Sequence, residues 1–255
     1  MKKFSIFMII VCLIAISILG CTSNENNKKQ INVSVAASLK EAILELKKEY
    51  ELKNNNVELV INYGSSGTLK QQIEQGAPCD LFISAGKKQV DELNKKGILN
   101  KESVRNLAKN KLVLVSSNNS KSYSIDDLMS EKVKHIGIGH PESVPAGEYA
   151  YETLKNLNLE EKVKDKLVYA KDVKEVLAWA QVENVDVGFV YSTDAVNNNK
   201  INIIKEIDDK YHSPIIYPMA IIKDSKNIEE AKDFQEFLFS KEGQDILKKY
   251  GYKEI

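Results

Sequence analysis

The chain has 255 residues, and its 36 lysine and arginine side chains balance 36 aspartate and glutamate side chains, so the formal net charge is zero at pH 7. The length suits one or two domains with hydrophobic cores, and the charge balance leaves no basic face that favours nucleic acid as a partner. Arg105 is the single arginine, which excludes an anion site built from several bidentate guanidinium groups.

The first residues have the layout of a secretory signal. Two lysines precede an apolar run over residues 4–20, and Cys21 follows it directly. The run has 17 residues, the lower limit for spanning a bilayer, so an uncleaved membrane anchor is the alternative interpretation. The small Gly20 before Cys21 resembles the bacterial lipoprotein signal, although Leu19 is bulkier than the residue usual at its place. That resemblance implies cleavage after residue 20 and a lipid on the sulfur of Cys21, which would hold the protein on the outer side of the bacterial cell membrane.

A polar segment without aromatic residues, 21–30, is expected to be a flexible tether. Removal of residues 1–20 takes away two lysines and no acid, so the balance becomes 34 against 36, a net charge of about −2. Cys12 leaves with the signal. Cys79 is then the one cysteine besides the lipid candidate, so no intramolecular disulfide is available.

Short β-branched runs alternate with helical stretches from residue 31 onward. The predicted strands are 31–37, 57–63, 80–84, 111–116, 135–139, 168–169, 186–191, 201–204 and 215–222. The clearest predicted helices are 39–52, 68–75, 87–96, 228–239 and 241–250. This alternation predicts an α/β fold with mostly parallel sheets flanked by helices.

Two features predict two lobes rather than one long sheet. Residues 105–111 give no strong signal before a new strand starts, and the strand at 215–222 has the character of a return to the first lobe. The predicted division is 31–112 plus 215–255 for lobe 1, and 113–214 for lobe 2. Open α/β sheets bind ligands at the carboxyl ends of their strands, so the turns after the strands are where a site is expected.

Serines occupy the first two of these turns. Ser38 ends the first strand and forms an S-x-x-E capping box with Glu41, so it is expected to cap a helix, while its hydroxyl has capacity for a ligand as well. Residues 64–67 read Gly-Ser-Ser-Gly just after a strand, which indicates either a plain turn or an anion site at a helix start. They do not form a nucleophile elbow, because Thr68 rather than glycine lies two residues after Ser66.

Two later turns and a strand end add further donors. Pro145 suits a first helical turn, which leaves the N–H groups of Ala146 and Gly147 among the unsatisfied donors. A second capping box at 171–175 makes the amide of Val173 a first-turn donor. Tyr191 ends an apolar run, a position typical of core or rim, from which its hydroxyl could also donate into a cleft.

Specific segments of the chain resemble the periplasmic molybdate-binding proteins of ABC importers, members of the type II periplasmic binding proteins. They are AASLKEAI, YGSSGTLKQQIEQGAPCDLFISA, IGIGHPESVPAGEYA, KDVKEVL, VGFVYSTDA and GQDILKKYGY, spread with preserved spacing over 31–252. The resemblance implies a two-lobed fold with the ligand in the cleft between lobes. Departures are Cys79, where alanine is common, and Gly67, where serine is common.

The resemblance also implies a binding site for a tetrahedral dianion that is held by neutral donors. The implied positions are the hydroxyls of Ser38, Ser66 and Tyr191 and the backbone amides of Ala146 and Val173. A site of oriented dipoles agrees with the scarcity of arginine.

The expected function is binding and delivery of molybdate, or equally of tungstate, to an ABC permease in the membrane, not catalysis. The protein is expected to be a monomer without a cofactor, to bind metal only as the molybdate oxyanion, and to have no nucleic-acid partner. The histidines show no metal-ligand spacing.

Two alternatives remain open at this point. The first is a binding protein for another oxyanion such as sulfate or phosphate, although a donor-only site disfavours hydrogen phosphate, whose proton needs an acceptor. The second is a secreted hydrolase using Ser38 or Ser66, which would need a histidine base, and none lies near these motifs in the sequence.

Replacement of Cys21 by serine is predicted to release the protein from the membrane, because the lipid would no longer have its sulfur. Fractionation of cells that express the wild type and Cys21→Ser provides the measurement. A variant that stays as firmly membrane-bound as the wild type would contradict the lipoprotein interpretation.

Overall fold

The computed structural model describes residues 28–120, 122–196 and 198–255. The predicted signal segment, Cys21 and most of the predicted tether lie outside the described residues. The strands of the described chain are β1 (Lys29–Ala36), β2 (Val57–Gly64), β3 (Leu81–Ile83), β4 (Arg105–Lys109), β5 (Leu112–Ser117), β6 (Ile136–Gly139), β7 (Leu167–Ala170), β8 (Val187–Tyr191), β9 (Ile201–Glu206) and β10 (Ile216–Ile221).

Helices cover the strands and connect most of them. Within the described residues the α-helices are α1 (Lys40–Lys53), α2 (Ser66–Glu74), α3 (Lys87–Lys95), α4 (Pro145–Asn156), α5 (Glu160–Val163), α6 (Val173–Gln181), α7 (Ser192–Ala195), α8 (Ile228–Phe239) and α9 (Lys241–Lys249). Every predicted strand and every one of the five predicted helices is present, with ends within two residues of the prediction. No helix within the described ranges is long and apolar enough to cross a membrane.

The strands form two five-stranded sheets, one in each lobe, which confirms the two-lobed α/β fold. Their orders are β2-β1-β3-β10-β4 and β7-β6-β8-β5-β9. Both sheets are mixed rather than mostly parallel, with two parallel and two antiparallel pairings each. The antiparallel pairings belong to β5 and β10, the two strands that enter a sheet directly after the chain has passed from the other lobe.

The chain passes between the lobes twice. The first connection is the pair of residues between β4 and β5, and the second is the segment between β9 and β10. They contact each other, because the Asn110 N–H donates to the carbonyl of Ile215 at 3.2 Å. The predicted boundary at 112/113 falls one residue inside β5, and the boundary at 214/215 falls within the second connection.

At the edges of the first sheet, one local prediction was wrong and one strand was missed. The tether was predicted to reach residue 30, but Lys29 and Gln30 already pair with β2, as exposed residues that extend the strand beyond the core. Strand β4 was not predicted. It is an edge strand whose buried residues, Leu107 and Ala108, are adjacent rather than alternating, so it lacks the period of two.

The capping box predicted at Ser38 does not form. A 3₁₀ turn, Ala37–Leu39, follows β1 directly, and α1 begins only at Lys40, without a side-chain cap. The hydroxyl of Ser38 is therefore not used by the helix. Glu41 reaches across to the other lobe instead, where its carboxylate lies 2.6 Å from the ammonium of Lys174.

Lys174 ties the two lobes together through a three-residue ion cluster. Its ammonium also lies 2.7 Å from a carboxylate oxygen of Asp194, whose side chain is fully buried. Burial raises the pKa of Asp194, and the neighbouring ammonium opposes that rise. The Lys174 pKa is raised, because the attraction of Asp194 and Glu41 outweighs the opposing effect of its own burial. The buried pair lies within lobe 2, and the more exposed Glu41 joins it to lobe 1.

Lys174→Met is predicted to destabilise the fold by about 3–5 kcal/mol, because it leaves the Asp194 carboxylate buried without its partner. Glu41→Gln removes a half-exposed partner and should cost about 1 kcal/mol or less. Urea unfolding of both variants at pH 7 measures the difference. Equal losses for the two would show that burial of Asp194 is not what makes the cluster important.

Candidate functional site

A small cavity lies between the lobes, where the carboxyl ends of strands from both sheets meet. The space among its lining atoms is about 210 Å³ and includes open solvent, and the centre of a water molecule can move within only about 10 Å³ of it. All five residues that the sequence predicts for anion binding line it: Ser38, Ser66, Ala146, Val173 and Tyr191. The structure thus brings together groups from five separate segments of the chain.

Ser38 reaches the cavity from the 3₁₀ turn that ends β1. The side chain is buried, and its hydroxyl oxygen lies 3.0 Å from the hydroxyl of Tyr217, which comes from β10 of the same lobe. Its backbone carbonyl accepts a hydrogen bond of 2.8 Å from the hydroxyl of Tyr252. The position of Ser38 is therefore set by side chains from the end of the chain.

The two serines of the Gly-Ser-Ser-Gly turn have different roles. Ser65 is the N-cap of α2, and its hydroxyl accepts from the N–H of Thr68. Ser66 is the first residue of the helix, and its hydroxyl oxygen accepts the N–H of Ala85 at 2.9 Å. A serine hydroxyl has one hydrogen in addition to its acceptor positions. The amide of Ala85 occupies only an acceptor position of Ser66, so the hydroxyl hydrogen stays available to donate to a ligand.

Lobe 2 contributes the amide of Ala146 from the first turn of α4. Pro145 occupies the first helical position, as predicted, and Ala146 follows at a place where amides have no acceptor within the helix. The prediction that Gly147 is also an unsatisfied donor was wrong, because its N–H donates to the carbonyl of Val144 at 2.9 Å. Gly147 has a steric role instead: a Cβ there would lie 1.9 Å from the carbonyl oxygen of Gly139, so only glycine lets α4 start this close to β6.

The amide of Val173 opens α6 on the same side of the cavity. Asp172 caps this helix by accepting the N–H of Glu175 at 2.9 Å, while the Glu175 carboxylate accepts the N–H of Lys171 at 2.8 Å. The capping box predicted here is therefore close to the observed arrangement, and it fixes the first turn in which Val173 lies. Asp172 also lines the cavity, with one carboxylate oxygen engaged by the cap.

Tyr191 is the last residue of β8 and is almost completely buried. Its hydroxyl donates a long hydrogen bond of 3.4 Å to the carbonyl of Ala85 in lobe 1. Burial raises the pKa of Tyr191 well above its ordinary value, so the hydroxyl keeps its proton and remains a donor. A weak bond of this length is readily exchanged for a stronger one to a charged acceptor.

The cavity offers hydrogen-bond donors rather than a cationic side chain. Among the described residues that line it there is no lysine, arginine or histidine. Lys174, which follows Val173, has its ammonium engaged by two carboxylates. Helices α2, α4 and α6 all begin at the cavity, so their amino-terminal partial charges favour an anion there.

A backbone contact between the lobes lies beside the cavity. The N–H of Gly67 in lobe 1 donates to the carbonyl of Ser143 in lobe 2 at 2.8 Å. A Cβ on Gly67 would lie 2.5 Å from that carbonyl oxygen. Glycine at this position, a departure noted in the sequence, is therefore what allows the two backbones to meet at this distance.

Sequence reasoning missed Tyr217 and Asn110, which lie behind Ser38. Tyr217 is a fully buried residue of a strand whose apolar neighbours gave no sign of a site, and Asn110 lies in the connection that gave no pattern at all. Cys79, in contrast, does not line the cavity, and burial raises the pKa of its thiol to about 11. In the described part of the chain, no group of three potential ligand side chains could hold a metal ion.

Comparisons with known proteins agree on one family. The model of the family described as bacterial extracellular solute-binding protein matches residues 31–253. YvgL of Bacillus subtilis, named as a candidate ABC transporter substrate-binding lipoprotein, is 41% identical over 98% of both chains. The molybdate-binding protein ModA of Haemophilus influenzae is 36% identical over 88% of this chain and 89% of its own.

A solved structure has the same fold. It is the substrate-binding domain of a candidate molybdenum ABC transporter from Clostridium difficile, which is 55% identical and superposes with a TM-score of 0.70. The match covers 89% of this chain and 100% of the chain in the solved structure.

Gly67→Ala is predicted to weaken ligand binding while the ligand-free protein stays as stable as the wild type or gains slightly. The added methyl group meets backbone of the opposite lobe, which cannot move aside as a side chain can, whereas within α2 alanine is the better helix former. Calorimetric affinity and the melting temperature without ligand measure the two effects. Undiminished affinity would mean that this contact between the lobes is not needed for binding.

Proposed function

The chain belongs to the bacterial extracellular solute-binding proteins, and from that premise we propose that it captures molybdate, or tungstate, and delivers it to an ABC-type permease. The observation that carries the proposal is the cavity, where three hydroxyls and two helix-start amides converge without a cationic side chain among the described lining residues. Such donors suit an anion that carries no proton of its own. A relative named for molybdate and a solved structure named for a molybdenum transporter support this choice of anion.

The proposed ligand is held by the hydroxyls of Ser38, Ser66 and Tyr191 and by the amides of Ala146 and Val173. Donors come from both lobes, so a bound anion favours the arrangement in which the lobes are together. Molybdate and tungstate have nearly the same shape and charge, and both fit the proposal equally. No cofactor is part of it, and the protein is proposed to act as a monomer.

Lipid attachment at Cys21 is the proposed means by which the protein stays near its permease. A relative that is 41% identical over nearly the whole chain is named as a lipoprotein, which supports the proposal. Residues 1–20 would then be absent from the mature protein.

Sulfate binding is the second candidate function, because sulfate is also a tetrahedral dianion without a proton. It is the smaller anion, so the five donors would have to come closer together to reach it. The hydrolase alternative has less support: the hydroxyls of Ser38 and Ser66 contact a tyrosine hydroxyl and a backbone amide rather than an imidazole, and the relatives are solute-binding proteins.

Calorimetry on the chain from residue 22 onward, with molybdate, tungstate, sulfate and phosphate in turn, tests the proposal. Molybdate and tungstate are expected to bind with similar affinity and more tightly than sulfate, with phosphate weakest. Tighter binding of sulfate would favour the second candidate, and binding of none of the four would refute both.

Ser66→Ala and Tyr191→Phe each remove one hydroxyl donor, and each is predicted to weaken molybdate binding roughly 10- to 150-fold, with Ser66→Ala at the low end because its backbone stays. Apo stability should stay within about 1 kcal/mol of the wild type in both. Melting with and without molybdate measures both quantities, since a weaker complex gives a smaller ligand-induced shift.

Ser65→Ala is the matched control for Ser66→Ala. It removes the neighbouring hydroxyl, which caps α2, so it should lower apo stability by about 0.5–2 kcal/mol and leave the molybdate-induced shift intact. Full ligand-induced shifts in Ser66→Ala and Tyr191→Phe would remove these residues from the site.

A further inference from the structure

We infer that Tyr217 and Asn110 are positioning residues that determine specificity, because they fix the Ser38 hydroxyl as a donor into the cavity and so select anions without a proton. This inference rests on the proposed function, since it concerns the same cavity. Neither residue lines the cavity. They act through a chain of hydrogen bonds that runs from Asn110 through Tyr217 to Ser38.

The amide of Asn110 has a fixed orientation. Its carbonyl oxygen accepts the backbone N–H of Lys111 at 2.8 Å, and an N–H group can bond only to the oxygen side of the amide. The NH₂ side therefore faces the other way, where it lies 3.1 Å from the hydroxyl oxygen of Tyr217 and 2.9 Å from that of Thr193. Asn110 is thus a donor toward Tyr217.

The direction of the next hydrogen bond follows from the burial of Tyr217. Its side chain is fully buried, and among the described residues its hydroxyl has two polar contacts, Asn110 and Ser38. Asn110 can only donate, so the tyrosine hydrogen has Ser38 as its acceptor at 3.0 Å. In the reverse arrangement that hydrogen would be buried without an acceptor, which is unfavourable. Burial also raises the pKa of Tyr217, so the proton stays in place.

Ser38 then has one defined role toward the cavity. A serine hydroxyl has one hydrogen, and since its oxygen accepts from Tyr217, that hydrogen is free to point at the ligand. The amide of Ala85 produces the same situation at Ser66. At these two positions, an anion that brings its own proton, such as hydrogen phosphate, meets a donor where it needs an acceptor.

The chain of hydrogen bonds starts in the connection between the lobes. Asn110 lies between β4 and β5, its backbone N–H donates to Ile215 in the second connection, and its side chain contacts both Tyr217 of lobe 1 and Thr193 of lobe 2. Selection by Ser38 is therefore set from outside the cavity, at the junction of the lobes.

A double-mutant cycle with Tyr217→Phe and Ser38→Ala tests whether Tyr217 acts through the Ser38 hydroxyl. Calorimetry at pH 8 gives the affinities for molybdate and for phosphate. In the wild-type background Tyr217→Phe is expected to lower the ratio of molybdate affinity to phosphate affinity about tenfold, the equivalent of about 1.4 kcal/mol. In the Ser38→Ala background the same change should leave the ratio unaltered.

Asn110→Ala provides a second variant with a distinct expectation. Without the amide donor the Tyr217 hydroxyl can turn either way, so the affinity ratio should fall in the same direction, and it should not fall further once Tyr217 is phenylalanine. Melting of each variant without ligand shows that it folds.

Tyr252→Phe is the matched control. It is also a buried tyrosine, its ring lies 5.4 Å from that of Tyr217, and its hydroxyl donates to the backbone carbonyl of Ser38 rather than to the side chain. Its effect on the ratio should be the same with and without the Ser38 hydroxyl. An equal effect of Tyr217→Phe in both backgrounds, or coupling as strong for Tyr252→Phe, would overturn the inference.

Anion binding by the wild type distinguishes a failure of this inference from a failure of the proposed function. If it binds sulfate in preference to molybdate, the proposed ligand is wrong, and the cycle is run with sulfate against phosphate with the same expectations. If the wild type binds none of these anions, both the proposed function and the inference fail.

Discussion

Satisfaction of buried polar groups is the constraint on which the rest of this structure depends. The site consists of neutral hydroxyls and amides, and each is useful to an anion only if its hydrogen already points inward. The protein meets this requirement by filling the acceptor positions from behind: Ala85 donates to Ser66, and Tyr217 lies against Ser38. At the starts of α4 and α6, the tight packing at Gly147 and the cap formed by Asp172 hold the backbone amides in a fixed, inward orientation. Donor geometry is thus fixed by groups that need not touch the ligand.

The contacts between lobes follow from the same requirement, because donors from two lobes must converge on one small volume. The contacts that join the lobes near the cavity include the ion cluster of Lys174, the backbone bond from Gly67 to Ser143, and the paired connections at Asn110 and Ile215. The first two lie across the cleft, and the third is part of the chain itself. Only the last is independent of how closely the lobes approach.

Most of the fold was predictable from the sequence, since it rests on local pattern. The five residues of the candidate site were implied as a set only by the resemblance to molybdate-binding proteins, because local pattern alone is equally typical of turns, helix starts and core positions. The alternation of strands and helices, the proline at the start of α4 and the capping box at Asp172 are all signals within a few residues. The predictions that failed concern features that depend on tertiary partners. The box at Ser38 and Glu41 has the right spacing, but Tyr217 and Lys174 engage those side chains from far along the chain. Strand β4 forms because it pairs with β10, which is distant in the sequence. The role of Asn110 comes from its contact with Tyr217, which is equally distant.

The lack of cationic side chains among the described residues that line the cavity has a kinetic consequence. The chain as a whole is balanced, at 36 basic against 36 acidic side chains, and no lysine, arginine or histidine is found among the described residues that line the cavity. Such a surface exerts little long-range pull on an approaching dianion, so the rate of capture depends on diffusion and varies weakly with ionic strength. Retention is a separate matter, because fixed dipoles in a buried cavity are poorly screened by salt. Affinity in such a protein resides in slow release rather than in fast encounter, and it persists in media of high or changing salinity.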